Sequence, residues 1–181
     1  MKKLFILLAL NYLILSCCSN TLIGTHSLND EAISLVPYIE NQTIEWIDNN
    51  KNSFTGKVHQ VKNEPITYSS ECESEQFDRR VAILNINNEV YTIYVSRNRD
   101  PKLYDMEIKR NYNDKLNTFT TTIPVDAFTD VNFNGLNFKD VVALRLMKTY
   151  YEENESLIFY NKEKGIVCVY FDQDNWYELN E

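Results

Sequence analysis

Asp130-Val-Asn132-Phe-Asn134-Gly135 sets oxygen-bearing side chains at alternate positions ahead of a glycine, which is how a calcium-binding loop begins. Such a loop needs a bidentate acid at its twelfth position. There the chain has Val141, with Asp140 one place early. Val131 and Phe133 alternate with the polar residues as a strand would, and Asn134-Gly135 is the strongest short hairpin signal in the chain. A hairpin is expected, and Asp130, Asn132 and Asn134 are the ligands of the competing calcium reading. Glu71, Glu73, Glu75 and Asp78 are near enough in sequence to supply paired carboxylates for glycoside chemistry. Four acids in one polar stretch, with nothing to desolvate them, read instead as solvated surface. His26 and His59, the only histidines, have no zinc spacing. No Gly-x-Ser-x-Gly, phosphate-binding loop or dinucleotide fingerprint occurs. The set implies no catalytic residue, no metal and no cofactor.

The N-terminus carries a different chemistry. Lys2 and Lys3 precede twelve almost wholly apolar residues, 4–15, followed by Ser16 and Cys17. The stretch is too short to span a bilayer, which takes about 20 residues, and has the length and basic flank of a secretory signal. Ile14-Leu15-Ser16-Cys17 resembles the lipobox of bacterial lipoproteins. The resemblance implies cleavage before Cys17 and a diacylglycerol on its thiol; Cys18 would put a cysteine at the −1 position and is the second candidate. Two or three acyl chains anchor stably, at about 0.8 kcal/mol per buried methylene. Cys18 occupies the place where Asp favours retention in the inner membrane, so the resemblance implies the outer membrane. Residues 19–23 lack the acids of a surface-export signal, which favours the periplasmic leaflet. The expected division is a signal over 1–16, a lipidated flexible tether over 17–30 and a single domain over 31–181.

With Cys17 acylated, Cys18, Cys72 and Cys168 remain. The compartment permits disulfides, and a Cys72–Cys168 bridge stands beside the reading of Cys168 as a buried free thiol in the strand-like run 166–171. The mature chain has sixteen basic against twenty-six acidic side chains, a net charge of −10. Nucleic acid is thereby a poor partner, because its binding rests on phosphate neutralisation. Anionic lipid is repelled too, which leaves membrane attachment to the acyl chains.

The elements that position these residues read as strands. Twelve Tyr, nine Phe and two Trp against four Gly and four Pro favour sheet. Strand patterns cover 43–47, 54–61, 66–68, 79–86, 90–95, 104–108, 118–123, 131–133, 136–138, 141–147, 157–160, 166–171 and 176–179. Tyr104, Met106 and Ile108, alternating with Asp105, Glu107 and Lys109, form the cleanest half-buried strand. Asn87-Asn88 suits a tight hairpin. One helical turn over 31–35 follows a cap at Ser27 or Asn29 and ends at Pro37. The fold class is all-β: an antiparallel meander of about ten strands that closes as an open barrel or folds as a sandwich.

Val131-Asn-Phe-Asn-Gly-Leu-Asn-Phe138, Val141-Val-Ala-Leu144, Phe159-Tyr-Asn-Lys-Glu-Lys-Gly-Ile-Val167 and Trp176 together resemble a pattern of small Bacteroidota lipoproteins. The resemblance covers roughly the last 55 residues and the lipobox. It implies fold and address, and carries over no activity. The expected function is a lipid-anchored, periplasm-facing binding or interaction module. Its alternatives are a carrier of an apolar ligand inside an open barrel and a periplasmic hydrolase. A filled interior separates the first from the second.

Overall fold

The computed structural model describes residues 20–124, 126–146 and 156–180. Among these are twelve strands: β1 (Thr21–His26), β2 (Thr43–Asp48), β3 (Ser53–Ser69), β4 (Glu73–Ile86), β5 (Glu89–Arg97), β6 (Leu103–Tyr112), β7 (Lys115–Pro124), β8 (Thr129–Phe133), β9 (Leu136–Leu146), β10 (Leu157–Asn161), β11 (Gly165–Asp172) and β12 (Asn175–Leu179). One short helix, α1, spans Asp30–Ser34. The expected all-β meander is what forms, and the strand pairing decides between its two closures. Each strand from β2 to β7 pairs antiparallel with the next, β7 meets β9, and β9 to β12 continue in order until β12 pairs with β2. The ring is closed by the β4–β5 hairpin, so ten strands make an up-and-down barrel with no free edge inside the ring.

Alternation builds the interior. β5 buries Glu89, Tyr91, Ile93 and Val95 and turns Thr92 and Tyr94 outward; β6 does the same with Tyr104, Met106 and Ile108. Trp46, Leu84, Ile86, Phe119, Tyr160 and Tyr177 join them, each at most 2% exposed. β10 and most of β11 are buried on both faces, because β8 and the first half of β9 fold over the outside of the barrel there. This second core stacks Phe138 on Phe159 at 4.7 Å and sets Phe133 edge-on to Tyr170 at 4.8 Å. A strand covered twice reads as a continuous apolar run, which is the form of 166–171.

Three turns have positive φ at both central residues: Asn87-Asn88 at 49° and 63°, Asn113-Asp114 at 50° and 61°, and Asn134-Gly135 at 50° and 82°. Each joins paired strands through two residues, the signature of a type I′ hairpin. The first and third are the expected hairpins.

Two segments depart from the expectation, and the expected helical turn capped by Asn29 forms. Residues 66–68 and 79–86 extend into the long β3–β4 hairpin, which turns at Ser70–Cys72 and projects beyond the ring. Pro65 does not break β3. Past Val58 the described residues give β3 no neighbour but β4, so the missing N–H falls on a free edge. Residues 21–26, expected within a flexible tether, are β1, paired in parallel with Glu73–Phe77 of β4. Thr21–His26 are thus paired into the sheet ahead of residue 31. Finally, 28–38 crosses one end of the barrel. Asn29 caps α1 by accepting from Ala32 N at 2.9 Å. A five-residue helix is unstable alone; burial of Ala32, Leu35, Val36 and Tyr38 holds this one. Tyr160 donates to the Leu35 carbonyl at 2.6 Å, and the Ile166 amide donates to Tyr38 Oη at 2.6 Å.

Candidate functional site

α1 seals the end of the barrel that carries the β5–β6 and β10–β11 turns. The other end carries the β4–β5, β6–β7 and β11–β12 turns and is sealed by four polar side chains. Glu89 Oε2 accepts from Tyr91 Oη at 2.6 Å, Tyr177 Oη at 3.0 Å and Arg110 Nε at 2.6 Å. The two phenols also contact each other, and Arg110 Nη2 donates to Glu89 Oε1. The Arg110 guanidinium lies 4.1 Å from the Phe171 ring centre. The Glu89 and Arg110 side chains are 7% and 13% exposed. Burial, reinforced by the Glu89 charge, pushes the Tyr91 phenol well above its ordinary value; burial and the neighbouring Tyr91 and Glu89 do the same to Tyr177. A carboxylate with four donors and a cation with a bidentate partner form a satisfied network, suited to closing a barrel. Sequence reasoning missed this quartet, although alternation reached it. Glu89 begins the inward series Glu89-Tyr91-Ile93-Val95, and Arg110 ends the series Tyr104-Met106-Ile108.

Four clefts among the described residues lie outside the barrel wall. One, of about 370 Å³, occupies the outer face of β3 to β7 between Ile66, Tyr68, Arg79, Tyr94, Ser96, Asp105, Glu107 and Thr120–Thr122. Register explains its rows: Arg79, Ser96, Asp105 and Thr122 lie across neighbouring strands, as do Tyr94, Glu107 and Thr120. Its side chains are held in place. Arg79 sits 4.2 Å over the Tyr94 ring and donates through Nε to Glu64 at 2.8 Å. A hydrogen bond from Lys62, reinforced by Arg79, keeps the Glu64 carboxyl below the usual range despite some burial. Asp105 accepts from Thr122 at 2.6 Å and Asn98 at 2.9 Å, and Glu107 lies 3.3 Å from Lys109. Tyr68 is 57% exposed and forms a T-shaped contact with Phe77, which leaves much of its ring at the surface. On its far side a smaller cleft, about 170 Å³, is lined by Ile23, Ser69, Glu73 and Arg99. A further cleft of about 370 Å³ sets Trp176 and Tyr170 beside Asn134, Leu136 and Gln173.

The residues picked out from sequence fall as follows. Asp130, Asn132 and Asn134 lie on the β8–β9 hairpin, each in one hydrogen bond: Asp130 accepts from the Asp140 amide at 3.1 Å, Asn132 donates to Asn137 at 2.6 Å, and Asn134 donates to Tyr170 Oη at 2.9 Å. Among the described residues no three His, Cys, Asp or Glu gather as metal ligands. The acids of 71–78 do not share one loop. Glu71 is in the turn, and Glu73, Glu75 and Asp78 are in β4, where Glu75 pairs with Arg99. His26 stacks on Phe77 at 4.2 Å, and exposed His59 is the extra residue of a bulge in β3. A Cys72–Cys168 bridge is contradicted. Cys168 is a free thiol in the second core, pushed up by burial, while Cys72 is disulfide-bonded at the hairpin tip. Cys168 lies between β10 and β12 in the ring, far from the β3–β4 tip in strand order. Cys17 lies outside the described residues. No helix among those residues is long and apolar enough to cross a membrane. Comparison with protein-family models, curated proteins and solved structures returns no match to this chain.

Proposed function

We propose that the protein is a lipid-anchored, non-catalytic binding module. It holds a hydroxyl-rich ligand, a glycan segment, on the outer face of a filled barrel at the periplasmic leaflet of a bacterial outer membrane. The observation that carries this reading is the interior. Six large aromatic residues and the aliphatic side chains of β4 to β6 occupy it, with α1 and the Glu89–Arg110 quartet at its ends. A carrier of apolar ligands needs an open lumen there. The cleft over β3 to β7 supplies what a sugar requires instead. The exposed ring of Tyr68 offers an aromatic surface for its CH groups, and Ser96, Thr120, Thr122, Asp105 and Glu107 offer donors and acceptors for its hydroxyls. The acids there are paired with neutral donors or with Lys109, which favours recognition over hydrolysis. The address rests on the lipobox and on a charge of −10 that leaves membrane affinity to the acyl chains.

The test is binding of the purified protein to immobilised bacterial envelope glycans. Saturable binding to one glycan class is expected, weakened at least several-fold by Tyr68→Ala. Equal binding by the Tyr68→Ala protein would remove the cleft from the account.

A further inference from the structure

We propose that Arg80 and Arg97 form an anion site on the inner face of the sheet, at the barrel end crossed by α1, and that it takes a phosphate or sulfate group. The site lies on the opposite face of the strands from the glycan cleft and goes beyond the function proposed above.

Register places the two arginines together. Arg80 continues the inward series Ile86, Leu84, Ala82 of β4, and Arg97 continues the series Tyr91, Ile93, Val95 of β5. Arg80 lies opposite Val95, two residues before Arg97. The arginines are therefore diagonal neighbours on one face, about 7–8 Å apart at the backbone and within reach of each other's long side chains. Asn63 of β3 lies across from Arg80, and Tyr104 of β6 lies across from Arg97, so one row runs over four strands. Both arginines are half-buried, and both Nε atoms are buried without a hydrogen-bond partner. Their stems are thus packed, which holds the two guanidinium heads on the same face.

Charge selects the ligand. With 26 acidic side chains against 18 basic ones, arginines have partners to spare, and Arg79, Arg99 and Arg110 each hold a glutamate. Arg80 and Arg97 are in no ion pair among the described residues. Arg80 Nη1 donates to the neutral Asn63 Oδ1 at 2.9 Å. Of the acids near this face, Glu31 accepts from Tyr104 Oη at 2.8 Å, and Asp78, the preceding inward residue of β4, is paired with neither arginine. A half-buried cation without a counter-charge is costly, and two side by side repel as well. An anion between them relieves both penalties. A carboxylate has two oxygens and fills one guanidinium fork. A tetrahedral oxyanion presents more oxygens and serves two forks at once, which points to phosphate or sulfate chemistry. The group can arrive as a free ion, on a phosphorylated sugar or on a lipid headgroup.

The experiment titrates the full-length protein, in neutral detergent at low salt, with inorganic phosphate by calorimetry. Saturable one-to-one binding is expected. Arg80→Gln and Arg97→Gln should each weaken it about tenfold or more, the loss of a charge-assisted hydrogen bond. Arg97→Lys keeps the charge, loses the fork and should weaken binding too. Lys115→Gln, which removes one charge at an exposed turn, should bind as the wild type does. Glucose 6-phosphate, and phosphatidylcholine vesicles with and without phosphatidic acid, then identify the source, as whichever binds more tightly than inorganic phosphate. No saturable phosphate binding by the wild type would overturn the proposal. Equal losses in Arg97→Gln and Lys115→Gln would overturn it as well, because net charge alone would then explain them. Should the glutamine variants fail to fold by circular dichroism, Arg97→Lys decides, and unchanged phosphate binding there would remove the guanidinium pair from the account.

Discussion

Gly165 and Gly135 have the same backbone angle, φ +82°, and opposite surroundings. A Cβ at Gly135 meets nothing within 4 Å, whereas at Gly165 it would overlap the phenol of Tyr38, which is 4% exposed and pinned by the Ile166 amide. Gly135→Ala should therefore cost only backbone strain, about 1–2 kcal/mol. Gly165→Ala adds overpacking of about 1–3 kcal/mol or more to the same strain. Chemical denaturation of both variants checks this; equal losses would mean that Tyr38 does not close the barrel end as described. The buried phenols give a second residue-scale expectation. Burial raises Tyr38, Tyr91, Tyr160 and Tyr177 in the folded state, while the unfolded chain ionises its tyrosines near 10. The unfolded state then binds fewer protons above that pH, so stability is fully present below about 10 and falls as pH rises further. Burial of the Cys168 thiol starts the same decline slightly earlier, near 8.5. Tyrosinate absorbance should lag behind that of free tyrosine until the protein unfolds. Complete ionisation near 10 with the β signature intact would contradict the burial of these phenols.

At the scale of elements, the barrel depends on how its ends are sealed. Glu89 on β5 accepts from both Arg110 on β6 and Tyr177 on β12, three strands of one ring drawn together at a single carboxylate. Arg110→Ala leaves a buried carboxylate uncompensated and should cost about 3–5 kcal/mol in urea denaturation, the loss typical of breaking one side of a buried pair. A loss under about 1 kcal/mol would mark the pair as surface-like. The seals are also where the sequence was least legible. The hairpins at Asn87-Asn88 and Asn134-Gly135 announce themselves because positive φ restricts residue choice, and β5, β6 and β11 because alternation or continuous apolarity does. β1 gave no such signal: Thr21, Leu22, Ile23 and Thr25 are exposed, and the strand is held by backbone pairing to β4, which no side-chain pattern records. α1 gave its cap and its end at Pro37, but not its burial, since the surface that buries it comes from β5, β6, β10 and β11. A carboxylate at an inward position of β5 makes sense only once the ring places Arg110 beside it.

For the whole molecule, the fold class was open to sequence reasoning because ten successive antiparallel strands leave few ways to hide their edges. The candidate site was not. Tyr68, Arg79, Tyr94, Asp105 and Thr122 come from five strands and share no motif; only the barrel's register brings them to one face. The same register fills the lumen, and on that filling the proposed function turns. The most direct measurement is a titration of the protein, with its acyl chains removed, by a fluorescent fatty acid that brightens in apolar pockets. A filled barrel predicts no saturable binding and no competition by unlabelled fatty acid. Stoichiometric, competable binding would mean that the interior opens to an apolar ligand, and the protein would then be a carrier rather than an exterior binding module.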